Sequence, residues 1–206
     1  QRLPRRERIA RHERTAEWLE TQSQRQGTDL AEVLAHHRWT AHEIARSLKL
    51  PVQQYADTAR QALYLAARRA YALHALDAAH AHMNRAISLL PAEAEAEPAR
   101  RPERLRLHLF AAELDFYRDR SKFLAADGAA RLQALAEALT SEDADPAQVG
   151  DAARAWTLVG QAAWLRTDRE AALAALGRAV ALFGPLPDST EKVDAYAELG
   201  RLHMLN

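Results

Sequence analysis

The chain has 206 residues, of which 48% are hydrophobic, with 28 basic against 28 acidic side chains and no cysteine. That length can bury a substantial core, while zero net charge leaves no whole-chain field to hold a polyanion or an anionic membrane. Missing thiols exclude disulfides, thiolate metal sites and a cysteine nucleophile.

No apolar run approaches the roughly 20 residues of a membrane span, and the arginine-rich start lacks a signal-peptide core. The expectations are a cytoplasmic location, no membrane contact and, from Gln1 in place of Met, a segment of a longer polypeptide. Forty-six alanines against seven glycines, with valine and isoleucine scarce, favour helices and leave little strand-forming material. The excess of arginine over lysine, which occurs only at Lys49, Lys122 and Lys192, fits a GC-rich coding sequence as well as a binding role.

Periodicity and stop signals predict about nine helices. The first runs from about Pro4 to Gln24, with Ile9, Ala16 and Leu19 inward, and Gly27 ends it. Asp29 with Glu32 can cap a second, through Val33, Leu34, His37 and Ile44 to about Leu48. Pro51 opens a third, which ends near His74, and a fourth runs from Asp77 to Leu90. The stretch Pro91 to Pro102, with three prolines and Glu93, Glu95 and Glu97, reads as a solvated connector. A fifth helix to Arg118 and a sixth from Lys122 to Leu139 follow. Asp145, Pro146 and Gln148 make a helix start, and Thr167 with Glu170 and Asp188 with Glu191 make two more. Helices seven and eight therefore span Pro146 to Leu165 and Asp168 to Phe183, and a ninth runs from Asp188 to Asn206.

The hairpins repeat loosely. Trp156, Val159, Gly160 and Ala163, followed by Ala172, Leu176 and Ala179, resemble a tetratricopeptide repeat (TPR), with Pro185 one place late for its terminating proline. A second copy falls at Leu63, Ala66, Ala67 and Ala70, then Ala79, Met83, Ala86 and Pro91, and a half copy at Tyr196, Leu199, Gly200 and His203. Leu107, Phe110, Ala111 and Leu114 fit another first helix, but Leu132, Leu135 and Leu139 fall out of register and Asp127 stands where a large apolar residue belongs. The resemblance implies an all-α, TPR-like α-solenoid, a right-handed superhelical array of antiparallel helix pairs. Its divisions would be an N-terminal pair at 1–50 and degenerate repeats at 51–91, 102–140 and 146–184, with a half repeat at 188–206. It also implies a concave face lined by Gln61, Tyr64, Arg68 and Tyr71, by Arg154, Thr157, Gln161 and Trp164, and by Arg201. Aromatic anchors and arginine forks are enriched at protein interfaces, although Tyr64, Tyr71 and Trp164 equally suit packing between helices.

The opening carries a second resemblance. Arg2-Leu-Pro-Arg, Arg8, His12, Ala16-Glu-Trp-Leu-Glu, Asp29, Glu32 and Leu34-Ala-His-His are similar to the junction that follows the ATPase and winged-helix modules of large, mostly actinobacterial signal-transduction ATPases. Those proteins join a class III adenylate or guanylate cyclase domain, or a LuxR-type DNA-binding domain, to a TPR-like tail. The resemblance covers Arg2 to about Pro91 best, and it places the cyclase aspartates and the ATPase phosphate loop outside this chain.

Candidate chemistry is sparse. His36, His37 and His42 do not converge on one ion, because successive helical residues point about 100° apart. Glu32 with His36 supplies two ligands where zinc needs at least three from the protein. His74, His80 and His82 face different sides, and His42-Glu43 meets Arg46 where a zinc protease has its second histidine. No Gly-x-Ser-x-Gly elbow, phosphate loop or paired Glu-x-x-His is present, and Glu113 with Asp115, or Glu142 with Asp143, read as solvated acids. The cluster Arg2, Arg5, Arg6, Arg8, Arg11 and Arg14, interrupted by Glu7 and Glu13, suits a solvated or module-docking face better than nucleic acid.

The expectation is a non-catalytic scaffold or regulatory domain with no cofactor or metal. Its partner would be a protein segment or a neighbouring domain of the parent chain. One alternative is a sensor that takes a small-molecule effector in the groove. Another is an all-helical enzyme whose polar residues converge only in three dimensions.

Overall fold

The computed structural model describes residues 4–26, 29–91 and 98–205, without the side chains of 24–26. Among the described residues there are ten α-helices and no strands: α1 (Arg5–Gln26), α2 (Ala31–Ser47), α3 (Gln53–Ala72), α4 (Leu76–Ser88), α5 (Arg101–Arg118), α6 (Arg120–Ala125), α7 (Gly128–Leu139), α8 (Val149–Leu165), α9 (Arg169–Phe183) and α10 (Thr190–Met204). None is long and apolar enough to cross a membrane. The helix stop expected at Gly27, most of the proline and glutamate connector, Arg2 and Asn206 lie outside the described residues.

The chain divides into two compact units, Gln1–Ala94 and Glu95–Asn206. The helix pairs expected at 1–50 and 51–91 thus share the first unit. In it α1 packs on α2, α2 on α3 and α3 on α4; in the second, α5 packs on α6 and α7, α7 on α8, α8 on α9 and α9 on α10. The second unit also brings α8 against both α5 and α10. Packing of each helix on its sequence neighbour, with first helices also meeting, is the arrangement of stacked α-hairpins.

Alanine makes the close approach possible. Ala59, Ala66, Ala67 and Ala70 on α3, which packs on both α2 and α4, are fully buried, as are Ala79 and Ala86 on α4 and Ala172 and Ala179 on α9. At Gly160 a Cβ would stand 2.6 Å from Leu176 Cγ and 3.2 Å from the Ala172 carbonyl, so only glycine lets α9 lie this near α8. Larger side chains fill the second unit's interior, where the Phe116 and Phe123 rings meet edge to face at 5.6 Å.

One turn geometry recurs between helices. Lys49, His74 and Thr167 adopt left-handed φ values of 53°, 59° and 61°. At Thr167 the backbone N–H donates to the Trp164 carbonyl at 2.9 Å, and the next N–H, of Asp168, to the Ala163 carbonyl at 3.0 Å. The same pair of bonds closes α2 at Lys49 and α3 at His74, satisfying carbonyls that a helix end would otherwise leave without donors. Thr167 is therefore not the cap of the next helix. Asp168 is, its carboxylate accepting from the Ala171 N–H at 3.0 Å. Likewise Ser189, not Asp188, caps α10 by accepting from the Lys192 N–H at 3.2 Å. Asp29 accepts from the Ala31 N–H at 3.3 Å, at the start of α2. Asp145 caps as expected through the Ala147 N–H at 2.9 Å, but Gln148 turns inward and donates to the Pro102 carbonyl at 2.8 Å.

The nine expected helices become ten because the sixth breaks at Asp127. That residue is left-handed, with φ 57°, and Gly128 follows it where a Cβ would lie 2.5 Å from the Phe123 carbonyl oxygen. The break folds α6 back on α7, which moves Leu132 and Leu139 into the core and accounts for their irregular register.

Candidate interaction surface

In the second unit the first helices α5, α8 and α10 present a continuous line of polar and aromatic side chains. It starts with Arg154 of α8, which pairs with Glu113 of α5 and holds its guanidinium carbon 5.8 Å from the Phe110 ring centre. One turn along, the Tyr117 hydroxyl donates to Gln161 Oε1 at 3.3 Å, and Gln161 Nε2 donates to Glu198 Oε1 of α10 at 3.4 Å. Arg201 Nε donates to Glu198 Oε2 at 3.0 Å, and its guanidinium carbon lies 5.4 Å from the Trp164 ring centre. Burial first, and then the neighbouring Glu113 carboxylate, raise the Tyr117 pKa, so at neutral pH it stays a phenol.

The structure thus brings together Arg154, Gln161, Trp164 and Arg201 from the sequence reading. Thr157 stands apart. It is 7% exposed and its hydroxyl donates to the Ala153 carbonyl at 3.0 Å, because it falls on the stripe of α8 that packs against other helices. Glu113, Tyr117 and Glu198 were missed. Glu113 read as a solvated acid yet is buried, and its signal was the arginine 41 residues on, which only the repeat spacing could have paired with it.

In the first unit Gln61 and Arg68 are exposed, and Tyr64 and Tyr71 are partly buried. The concavity there opens nearer the start of α3: a groove of about 910 Å³ lies between α1 and α3, bordered by Ile9, Glu13, Leu50, Gln54, Tyr55 and Arg38 among others. Gln54, Thr58, Gln61 and Arg68 share one face of α3, so the face was legible but its depth was not. Arg38 closes the groove floor. Its side chain is 7% exposed and donates to Glu13 at 2.5 Å and to Glu20 at 3.0 Å. Glu13 nonetheless has a raised pKa, since burial outweighs the pull of Arg38.

Histidines gather on the other side of α1. His12, absent from the sequence-level trio, meets His37 with ring nitrogens 2.9 Å apart, and His36 lies 5.5 Å from His37 between ring centres. His42 packs instead beside Trp39. Among the described residues no group of three or more histidine or acidic side chains is arranged to hold a metal ion.

Burial and, for the first two, neighbouring histidines lower the pKa values of His12, His37, His42 and His82, all in the first unit. A lowered folded pKa means that the unfolded chain takes the proton first. Stability is therefore full above about pH 6.5 and lost as pH falls through the lowered values, with Glu13, raised above its usual range, offsetting part of the loss toward pH 4.5. Thermal melts at pH 7.5 and 5.5 should show the midpoint falling at the lower pH, and His12→Gln should flatten the difference.

No protein-family model and no curated protein matches the chain. Solved structures do. BtubC (BKLC) from P. vanneervenii is similar over 98% of this chain and 84% of its own, with a TM-score of 0.55 and 13% identity. A Podospora anserina protein assigned as a kinesin light chain with nearly identical TPR-like repeats is similar over 95% of this chain and 87% of its own, with a TM-score of 0.52 and 14% identity. At such identities the likeness concerns the fold alone, and that fold is the all-helical, TPR-like repeat of an α-solenoid.

Proposed function

We propose that this chain is a non-catalytic interaction domain that binds a protein segment along its first-helix face. The observation that carries the reading is the partly exposed ladder from Arg154 and Tyr117 through Gln161 and Glu198 to Arg201 and Trp164, which offers amide, carboxylate, guanidinium and ring surfaces across three successive first helices. Such groups suit an extended backbone and its side chains, whereas an enzyme needs titratable groups converging in a water-excluding pocket. The finer context is part of the same proposal: a cytoplasmic regulatory tail in a bacterial signal-transduction ATPase with a cyclase or LuxR-type effector, where occupancy of the face would bias the attached switch. The resemblance of the segment from Arg2 to about Pro91 supports that context.

The groove between α1 and α3 favours a second reading, a small-molecule effector held over the Arg38 and Glu13 pair.

A random 12-residue peptide library displayed on phage and panned on the purified chain tests the first reading. Enriched peptides should lose at least tenfold in affinity with Trp164→Ala or Arg201→Ala, and be unchanged by Gln133→Ala on α7. No enrichment, or binding indifferent to the two ladder variants, would contradict it.

A further inference from the structure

α1 is lightly anchored for its length. Of its described side chains only Ile9, Ala16 and Leu19 are buried, against eight on α3. It packs on α2, whereas α2 and α3 each pack on two helices. What lies between α1 and α2 therefore decides whether α1 stays docked.

Three imidazoles lie there. His12 and His37 bring Nδ1 to Nδ1 at 2.9 Å, with ring centres 5.1 Å apart, and His36 stands edge-on to both, 6.5 Å from His12 and 5.5 Å from His37. A contact between two ring nitrogens holds one proton, because one ring donates its N–H and the other accepts with a lone pair. Once both rings are charged, two N–H groups meet head to head and the bond becomes a repulsion between cations. Arg8, one turn before His12, adds positive charge of its own.

The acids of the surrounding helices act elsewhere. On α1, Glu7 pairs with Arg11, Glu13 and Glu20 pair with Arg38, and Glu17 acts on Glu13. On α2, Glu43 pairs with Arg46, and Glu32 acts on His82 of α4, where Arg85 lies over Trp39. From α3, Arg69 pairs with Asp29 and Arg60 with Asp57. Burial first, and then the neighbouring rings, hold the pKa values of His12 and His37 below the ordinary value near 6.5. Released, both rings return toward that value, so each proton bound below it favours release. Glu13 works in the opposite sense, toward pH 4.5.

We propose that His12, His36 and His37 form an acid-operated latch: uncharged, they let α1 dock on α2; charged, they release α1 while α2, α3 and α4 stay packed. Release uncovers Ile9 and the residues it clusters with on α2, Ala41, Ile44 and Ala45, and removes one wall of the groove between α1 and α3. The change is confined to one helix, which a general loss of stability in acid would not be.

Hydrogen–deuterium exchange of the intact chain, read by mass spectrometry at pH 7.5 and 5.5 and divided by each peptide's intrinsic rate, tests the latch. Protection within residues 5–23 should fall about tenfold or more at pH 5.5, since each proton taken up on release contributes up to about tenfold per pH unit, while residues 53–88 and 98–205 keep theirs. His12→Gln combined with His37→Gln removes both titrations and should leave α1 equally protected at the two pH values. Arg8→Gln keeps both rings, and should move the loss to lower pH by relieving the repulsion on His12. Arg8 is exposed, so its replacement leaves the apolar contact of α1 with α2 in place. Equal protection of α1 at both pH values in the unaltered chain, a loss spread evenly over α1 to α4, or a response that survives the double variant would each overturn the proposal.

Discussion

Trp156→Ala should destabilise the second unit by about 3–5 kcal/mol, the usual cost of deleting a large buried aromatic ring. Trp156 is 3% exposed, belongs to the main hydrophobic cluster of its unit, and has Arg178 of α9 stacked 4.6 Å from its ring centre. The ring joins α8 to α9, so its loss removes packing at the contact that defines the hairpin. Urea denaturation followed by circular dichroism should show a lower midpoint, and hydrogen exchange should place the loss within residues 95–206. Trp18→Ala is the matched control. That ring is 59% exposed, and its removal should cost less than about 0.5 kcal/mol.

The second large effect is expected at Arg38. Its guanidinium is the charge partner of Glu13 and Glu20, and one carboxylate oxygen of Glu13 is already buried without a hydrogen-bond partner. Arg38→Met keeps much of the volume but leaves Glu13 uncompensated, at a cost of about 3 kcal/mol, the low end for breaking a buried pair because Glu20 is partly in water. The cause can be separated from lost packing. Arg38→Met combined with Glu13→Leu should recover most of the loss, and the single variant should lose less as pH falls and Glu13 takes up its proton. A double variant no more stable than Arg38→Met alone would show that the arginine acts through its stem and not its charge.

These two residues also mark what was legible in the sequence. Trp156 stands at a fixed distance from Gly160, Ala172 and Leu176, and helical periodicity with repeat spacing translates directly into contact; hence the hairpins, their order and the all-helical class could be read. Arg38 had no such signal, since its partners are on another helix and no local rule pairs positions 18 and 25 residues apart. The same limit hid His12 from His37 and Glu113 from Arg154. The capping box at Thr167 failed for a different reason, although Asp145 capped as expected. Thr167 and Glu170 have the spacing of a capping box, but the chain used Thr167 to end α8 in the left-handed region, and Asp168 capped α9 in its place. Asp127 was noticed as a wrong residue for the repeat; that the chain would turn there depended on the fit of Phe123 over Gly128. Of the expected groove residues, those on α8 and α10 met partners across helices, while Thr157 was on the packing stripe one position round.

The account rests on small side chains letting successive α-hairpins nest, with Gly160 of α8 under Leu176 of α9 and Gly200 of α10 in open space. Thermal or urea unfolding of Gly160→Ala beside Gly200→Ala tests it most directly. Alanine in place of an exposed helical glycine should stabilise by about 0.8–1 kcal/mol, and Gly200→Ala should gain that amount. Gly160→Ala should be destabilised, because forcing a methyl group against Leu176 and the Ala172 carbonyl costs about 1–3 kcal/mol and exceeds the same gain. Opposite signs are the predicted result; an equal gain in both variants would contradict the close packing of α8 on α9.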